Sequence, residues 1–167
     1  MKRLIFLLLS LCFCLGSCSP TAEEYLNRGF TKDDLKDHKG AIEDYNKAIE
    51  LYPKFVEAYF WRGFAKDNLG DYRGAIVDYS KAIELDPKDA TAYNNRGIAK
   101  AKLEDYRGAI VDYSKAIELD PKYAFAYNNR GLAKYDLGDK NGACLDWSKA
   151  GELGNVGAYD IIKEYCN

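Results

Sequence analysis

Apolar residues of this chain recur at helical spacing in segments that end at turn residues. Between Gly70-Asp71 and Asp86-Pro87 they take the three- and four-residue steps that place side chains on one face of an α-helix. These residues are Ala75, Ile76, Tyr79, Ala82 and Ile83. The segment ends at Asp86-Pro87, because proline lacks an N–H and restricts the residue before it. An earlier helical segment stops near Gly70-Asp71, where glycine tolerates the positive φ of a helix end. The pattern therefore predicts pairs of helices.

The helical pattern is copied along the chain. The eighteen letters DYRGAIVDYSKAIELDPK stand at residues 71–88 and again at 105–122, 34 residues later. As whole units, Val56–Asp89 and Ala90–Tyr123 match at 25 of 34 positions, and eight of the nine differences lie in the first fifteen positions. Seven of those differing positions share one face of a helix, and unchanged positions fill the other face. The first helix of each unit therefore has a fixed face and a variable face.

The 34-residue spacing extends in both directions from these two units. Glycine recurs at position 8 of each unit, alanine at position 20 and tyrosine at position 4, and proline closes the first three units. The predicted organisation is four units at residues 22–55, 56–89, 90–123 and 124–157, followed by a capping helix at 158–167. The small residues at positions 8 and 20 would let the two helices of a unit approach closely.

The period and its small residues resemble the tetratricopeptide repeat (TPR) family. The family glycine, alanine and proline positions match at Gly63, Ala75, Ala82 and Pro87 and at their equivalents. The chain departs from the family pattern systematically, with tyrosine for tryptophan at position 4, arginine for leucine at position 7 and lysine for tyrosine at position 11. The resemblance covers about residues 22–157 and implies an all-α fold, a right-handed α-solenoid of helix-turn-helix units with a C-terminal capping helix.

The first seventeen residues differ from the repeats. Lys2 and Arg3 precede an apolar run, Leu4–Leu15, which is too short to span a bilayer and is typical of a signal peptide. The run ends in the letters LGSC at residues 15–18, which resemble the lipobox of bacterial lipoproteins. An ordinary export signal with incidental cysteines is the alternative interpretation.

The lipobox resemblance has implications for processing and location. It implies a signal peptide at residues 1–17, palmitate-type lipidation of Cys18, and a lipid-anchor and linker segment at 18–21. The mature chain would be exported and anchored to a bacterial membrane, facing the periplasm or the cell exterior. Which membrane, inner or outer, stays open.

Charge and composition argue against two classes of function. Without Lys2 and Arg3 the chain holds 22 basic and 26 acidic residues, a net charge of −4, whereas nucleic-acid recognition relies on basic patches. His38 is the only histidine, and no phosphate-binding glycine loop, metal-ligand cluster or nucleophile–base pair is visible. We therefore predict a protein that is not an enzyme, has no cofactor and does not bind nucleic acid.

Arginine at position 7 is always followed sixteen residues later by aspartate at position 23. If the two helices of a unit meet at positions 8 and 20, positions 7 and 23 lie one turn further along the same contact. The spacing predicts a structural ladder that includes Arg62 with Asp78 and Arg96 with Asp112. A basic stripe that grips an anionic ligand is the alternative, which we disfavour because every arginine has an acid at a fixed offset.

Two cysteines lie near the C-terminus at equal distances from a turn. Cys144 stands eleven residues before Asn155, and Cys166 stands eleven residues after it. If the flanking helices form an antiparallel hairpin, the two thiols lie at the same height, and an exported compartment permits disulfides. We predict a Cys144–Cys166 disulfide; two free thiols are the alternative. A redox-catalytic pair is disfavoured because the chain has no Cys-x-x-Cys motif.

The variable helix face is the candidate binding surface. In TPR proteins, ligand peptides usually lie in a concave groove lined by the first helix of each unit, at the positions that vary within this chain. The candidate groove residues are Leu26, Phe30, Asp33, Phe60, Trp61, Phe64, Asp67, Asn94, Asn95, Ile98, Phe125, Asn128, Asn129 and Tyr135. Aromatic and acidic residues mark the first half, and asparagines mark the middle.

These residues suggest a partner segment with apolar side chains and some positive charge near the first two units. The alternative is that positions 5 and 9 mainly pack adjacent helices, as at Phe64 and Ile98. Trp61 is the stronger candidate for a true contact. The chaperone-binding clamp of some family members is missing, since Leu26, Phe30 and Trp61 occupy the corresponding positions.

The sequence as a whole predicts a non-catalytic protein–protein interaction module, a TPR lipoprotein of the bacterial cell envelope that binds a partner peptide or protein in the groove. A self-associating structural scaffold of the envelope is the alternative. Substitutions in the groove would abolish partner binding in the first case and leave self-association intact in the second.

Overall fold

A computed structural model of the protein describes residues 19–166, so the predicted signal peptide and Cys18 lie outside the described residues. The described range contains nine α-helices and no strand. They are α1 (Ala22–Asp34), α2 (His38–Leu51), α3 (Val56–Asn68), α4 (Tyr72–Leu85), α5 (Ala90–Lys102), α6 (Tyr106–Leu119), α7 (Ala124–Asp136), α8 (Lys140–Glu152) and α9 (Gly157–Tyr165). Among these helices, none combines the length and apolar composition that crossing a bilayer requires.

Each helix packs mainly on its neighbours in the chain. Contacts join α1 to α2, α2 to α3 and so on to α9, and the odd-numbered helices α1, α3, α5 and α7 also contact each other in order. This arrangement, in which each unit contacts only adjacent units, is that of a solenoid. The predicted all-α solenoid is confirmed. The odd-numbered helices contact one another along one face, which is the face of the predicted groove.

The turn between the two helices of a unit is built by one aspartate. Asp71 caps α4, and its Oδ1 accepts a hydrogen bond from the backbone N–H of Gly74 at 2.9 Å. Gly70, just before it, has φ of 80°, in the left-handed region that glycine enters without strain. Asp37, Asp105 and Asp139 cap the other second helices in the same way. In units two and four a Gly-Asp pair therefore ends one helix and begins the next, while Lys36 and Glu104 take the positive φ before the capping aspartate in units one and three.

The glycine at position 8 makes room for an aromatic ring rather than for the alanine at position 20. A Cβ atom on Gly97 would lie 2.6 Å from Cε1 of Tyr113, a side chain that is only 2% exposed. Gly131 faces the indole of Trp147 in the same manner. The alanines at position 20, such as Ala109, are fully buried nearby. Close helix packing in each unit thus depends on a glycine that receives the ring at position 24.

Replacing Gly97 with alanine is expected to lower the free energy of unfolding by about 1–3 kcal/mol, because the methyl group overpacks the buried ring of Tyr113. This loss would exceed the gain of about 1 kcal/mol that alanine brings to a helix interior. Gly151→Ala is the matched control, since the neighbouring ring of Tyr159 is 56% exposed and can move. Chemical denaturation of both variants measures the difference. Destabilisation of equal size at the two sites would contradict this account.

The predicted arginine–aspartate pairs lie between the two helices of each unit. Arg62 donates to both carboxylate oxygens of Asp78, from Nε at 2.9 Å and from Nη2 at 2.6 Å. Lys66, one turn after Arg62, adds a second cation at 2.7 Å from Asp78 Oδ2. The guanidinium also lies over the ring of Tyr59, 5.4 Å from its centroid. The departures from the family pattern at positions 4, 7 and 11 therefore form one interacting group.

The same arginines also join adjacent units. Nη1 of Arg62 donates to Asn46 Oδ1 at 2.7 Å, and Nη1 of Arg96 donates to Ser80 Oγ at 3.1 Å. Arg130 makes the equivalent bond to Ser114 in the third unit. Each of these acceptors stands at position 25 of the preceding unit. The ladder thus holds the two helices of a unit together and ties that unit to the one before it.

The C-terminal end of the solenoid is closed by α9. A disulfide joins Cys144 on α8 to Cys166, whose Cα atoms are 5.8 Å apart. The rings of Tyr135, Trp147 and Tyr165 pack beside it, with the Tyr135 and Tyr165 centroids 5.0 Å apart. The pairing predicted from the sequence is therefore present in the structure, where it holds the capping helix against the fourth unit.

Candidate functional site

Several cavities open along the concave groove. One of about 240 Å³ lies between α1 and α3, one of about 70 Å³ lies beside Asp67, and one of about 350 Å³ lies between α5 and α7. A cavity of about 340 Å³ lies on the other side of Trp61, where α3 meets the start of α5. The cavities follow the first helices of the units, so a segment lying along the groove would pass over each of them.

An aromatic cluster, Phe30, Phe60, Trp61 and Phe64, occupies the first half of the groove. The Trp61 ring lies 5.0 Å from Phe30, 5.2 Å from Phe60 and 5.6 Å from Phe64, centroid to centroid, with nearly perpendicular planes. Such edge-to-face pairs stabilise packing by about 0.5–1.5 kcal/mol each. All four rings also remain partly exposed and line cavities. The cluster therefore packs α1 against α3 and still offers apolar surface to a partner.

Two predicted groove residues lie away from the accessible surface. Leu26 is 8% exposed and belongs to the core of the first two units, so it packs helices together instead of facing a partner. Asn94 is 3% exposed, and its amide bonds with the side chains of Asn95 and Asn129. For these two positions the packing alternative describes the structure better. Asn95 and Asn129 stay partly exposed at the edge of this network.

The other predicted residues occupy different parts of the groove. Asp33 is largely buried, with its carboxylate 2.5 Å from His38 Nδ1, yet it still borders the cavity between α1 and α3. Phe125 is 65% exposed, whereas Tyr135 packs on the C-terminal cap. Asn128 Oδ1 is buried without a hydrogen-bond partner. Ile98 lines two cavities and also packs near Ala133.

Asp67 lies in the groove in an electrostatically unfavourable place. Its Oδ1 is buried and accepts no hydrogen bond, and burial raises the pKa of this carboxyl, while Lys102 acts in the opposite direction. Phe64, Asn95 and Ile98 line the small cavity beside it. An unsatisfied buried acceptor with a raised pKa inside a groove is a feature of functional sites.

Exchanging Asp67 for asparagine is expected to raise the free energy of unfolding at neutral pH by about 0.5–1 kcal/mol. The folded state holds the pKa of Asp67 above its unfolded value, so stability falls as the pH rises from the unfolded pKa to the folded pKa, and the loss is complete above the folded pKa. The gain should become small at about pH 3, well below the unfolded pKa of about 3.9, where the carboxyl is mostly protonated in both states. Thermal melts at the two pH values test this, and a gain of equal size at both would contradict it.

Some residues of the groove and the ladder were not predicted from the sequence. Asp86 and Asp89 lie at the end of α4 and the start of α5, yet they border the cavity beside Trp61. The lysine at position 11 recurs four residues after each arginine, and this spacing, which places both on one helix face, could have identified the second cation.

Within residues 19–166 no group of three or more histidine, cysteine, aspartate or glutamate side chains is arranged to hold a metal ion.

Family comparisons match the repeats found above. The family described as TPR repeat matches residues 34–67 and 68–104, and the family described as tetratricopeptide repeat matches residues 90–123. No curated protein sequence matches this chain.

Solved structures share the fold. A crystal structure of MamA is 30% identical, with a TM-score of 0.77 and coverage of 83% of this chain and 81% of its own. The first TPR domain of Spaghetti (RPAP3), bound to the HSP90 peptide SRMEEVD, is 24% identical with a TM-score of 0.69, covering 71% of this chain and 94% of its own. TTC0263, a thermophilic TPR protein of Thermus thermophilus, is 20% identical with a TM-score of 0.70, covering 81% of this chain and 75% of its own. The last two likenesses concern the fold alone.

Proposed function

The chain belongs to the tetratricopeptide repeat family, and from this premise we propose that it is a non-catalytic module that holds a segment of a partner protein in its concave groove. The observation that carries the proposal is the aromatic cluster, whose four rings line cavities although they also pack α1 against α3. Aromatic anchors surrounded by polar groups are the usual energetic centre of a protein interface.

The partner would differ in chemistry from the peptide held by the Spaghetti domain, whose structure contains an acidic HSP90 segment. This groove has Leu26, Phe30 and Trp61 where chaperone-binding members of the family carry their lysine and asparagine clamp. Its first half is apolar and acidic, with Asp33, Asp34 and Asp67 along it. An acidic C-terminal segment would meet charges of its own sign there.

Photocrosslinking in cells tests this proposal. An aromatic photoreactive amino acid at position 61 is compared with one at position 81, where Lys81 is paired with Glu84 on α4, a second helix of its unit. The proposal expects one discrete crosslinked partner from position 61 and none from position 81. Equal products from both positions, or products containing only this chain, would contradict groove binding and favour the self-associating scaffold.

We also propose that the mature protein is a lipoprotein of the bacterial cell envelope, anchored through Cys18. Helix α1 is capped by Thr21, whose Oγ1 accepts from the backbone N–H of Glu24 at 3.2 Å while Thr21 N–H donates to the Glu24 carboxylate. Two residues, Ser19 and Pro20, separate Cys18 from this cap, and the three residue steps from Cys18 to Thr21 reach roughly 10 Å. Such a short linker would hold the first unit close to the membrane surface.

Labelling with a palmitate analogue and membrane fractionation test the anchor. The proposal expects labelled protein in the membrane fraction. It expects the Cys18→Ser variant to carry no label, and either to leave the membrane fraction or to keep its signal peptide. Cys14→Ser is the matched control, because Cys14 lies within the predicted signal peptide. Continued labelling of the Cys18→Ser protein would refute lipidation at this residue.

A further inference from the structure

The cavity between α1 and α3 is lined by two aromatic rings and two carboxylates. Phe30 and Trp61 supply the rings, and Asp33 and Asp34 supply the carboxylates. Asp34 is exposed, whereas Asp33 is 8% exposed and contacts His38. The cavity thus joins apolar surface to negative charge, and we refer to it below as the Trp61 cavity.

The negative charge of the Trp61 cavity is not matched by lysine or arginine side chains of the chain itself. In the ladder, Asp78 is contacted by both Arg62 and Lys66. Among residues 19–166, neither Asp33 nor Asp34 forms an ion pair with a lysine or an arginine. The cations nearest in sequence are committed elsewhere, since Arg28 and Lys32 both pair with Asp44.

The aromatic walls favour the same sign of ligand. The face of an aromatic ring attracts a cation, and tryptophan does so most strongly. The Phe30 and Trp61 rings meet at 84° with centroids 5.0 Å apart, so they form a corner rather than a flat stack. At about 240 Å³ the cavity is smaller than the pockets that hold drug-sized ligands, roughly 300–1,000 Å³. Its size suits one side chain.

The surroundings of the cavity add to the negative potential. On the other side of Trp61, Glu57, Asp86 and Asp89 line the neighbouring cavity together with Phe60. Carboxylates gathered around low-dielectric walls concentrate the field and attract cations to the cleft. A partner carboxylate or phosphate would be repelled from both sides of the tryptophan.

We propose that the Trp61 cavity is a site for one basic side chain, lysine or arginine, of the partner segment. The alkyl stem of that side chain lies against Phe30 and Trp61, and its charged end reaches Asp33 and Asp34. This inference rests on the proposed function, because it specifies the chemistry of a segment held in the groove. It places a positive residue of the partner opposite the first two units.

Fragment titration of the purified protein tests the site without a partner. Butylammonium and butylguanidinium are the probes, butanol is the neutral comparison, and two-dimensional NMR of the tryptophan indole N–H groups is the readout. The two tryptophans report separately, since Trp147 is 1% exposed and donates to the Asn128 carbonyl. The expected result is a saturable shift of the Trp61 indole with either cation, weakened by added salt, and no shift of Trp147.

Asp34→Asn is the diagnostic variant, and Asp136→Asn is its matched control. Both aspartates are exposed and end the first helix of a unit, α1 and α7 respectively. Removing the Asp34 charge is expected to weaken cation binding about two- to fivefold, the scale of an exposed ion pair, and removing the Asp136 charge is expected to leave binding unchanged. An equal effect of the two variants, an equal response to butanol, or no Trp61 shift with either cation would overturn the inference.

The outcome is separable from that of the crosslinking experiment. A cation-dependent shift at Trp61 with no crosslinked partner would support the cation site and count against the proposed function. A partner crosslinked from position 61 with no cation response would support the groove and overturn the basic-side-chain inference.

Discussion

Replacing Asp78 with alanine is expected to lower the free energy of unfolding by about 3 kcal/mol, because the change leaves two cations without their buried anion. Asp78 is 1% exposed and is contacted by Arg62 and Lys66, whose side chains are 18% and 22% exposed. Neither cation can turn fully into water without leaving its place between the helices. Chemical denaturation followed by circular dichroism measures the loss.

Asp44→Ala provides the comparison within the same chain. Asp44 also forms ion pairs with an arginine and a lysine, Arg28 and Lys32. The Arg28 side chain is 52% exposed, so water can solvate its charge when the aspartate is removed. The expected loss there is about 1 kcal/mol, the scale of an exposed pair. Losses below about 0.5 kcal/mol at both sites would refute the structural ladder and support the alternative in which the arginines await an anionic ligand.

Replacing both Cys144 and Cys166 with serine is expected to lower the free energy of unfolding by about 3 kcal/mol, because the disulfide closes a long loop in the unfolded chain. The two cysteines are 22 residues apart. Denaturation with and without reductant measures the effect. The original protein should lose stability on reduction to the level of the double-serine protein, which should not respond to reductant.

Thiol counting by mass spectrometry under non-reducing conditions provides the decisive control for the disulfide. The bonded pair predicts that Cys144 and Cys166 resist alkylation in the unreduced protein. Two alkylated thiols in protein purified from its own compartment would show that the cap is held by packing alone, through Trp147, Tyr165 and their neighbours.

The fold could be predicted from the sequence because the chain consists of repeats. A 34-residue period fixes which positions recur on the same face of each helix, so the paired helices and the contact of Arg62 with Asp78 follow from spacing within one unit. The period does not predict how one unit packs on the next. The bonds from Arg62 to Asn46 and from Arg96 to Ser80 cross between units, and they emerged only from the structure.

The residues of the groove could be predicted only in part, for a related reason. Position 5 holds Leu26 in the first unit and Phe60 in the second, but the leucine is buried while the larger ring extends to a cavity. Helical spacing predicts that both side chains point to the same face of the helix. It does not predict how far each side chain extends from the helix toward the cavity. Asp89 joins the groove because the start of α5 lies beside Trp61, a proximity that depends on the stacking of units.

The arginine bonds between units give the solenoid two unequal ends. Among residues 19–166, Arg28 of the first unit forms hydrogen bonds only with Asp44 of its own unit, and Tyr45 in the same unit buries a hydroxyl without a hydrogen-bond partner. The opposite end is tied by the disulfide. Local opening therefore costs least at α1 and α2, where backbone amides should exchange with deuterium soonest. A partner segment that bound across α1 and Trp61 would hold this end closed. Its binding should therefore slow the deuterium exchange of the backbone amides in the first unit.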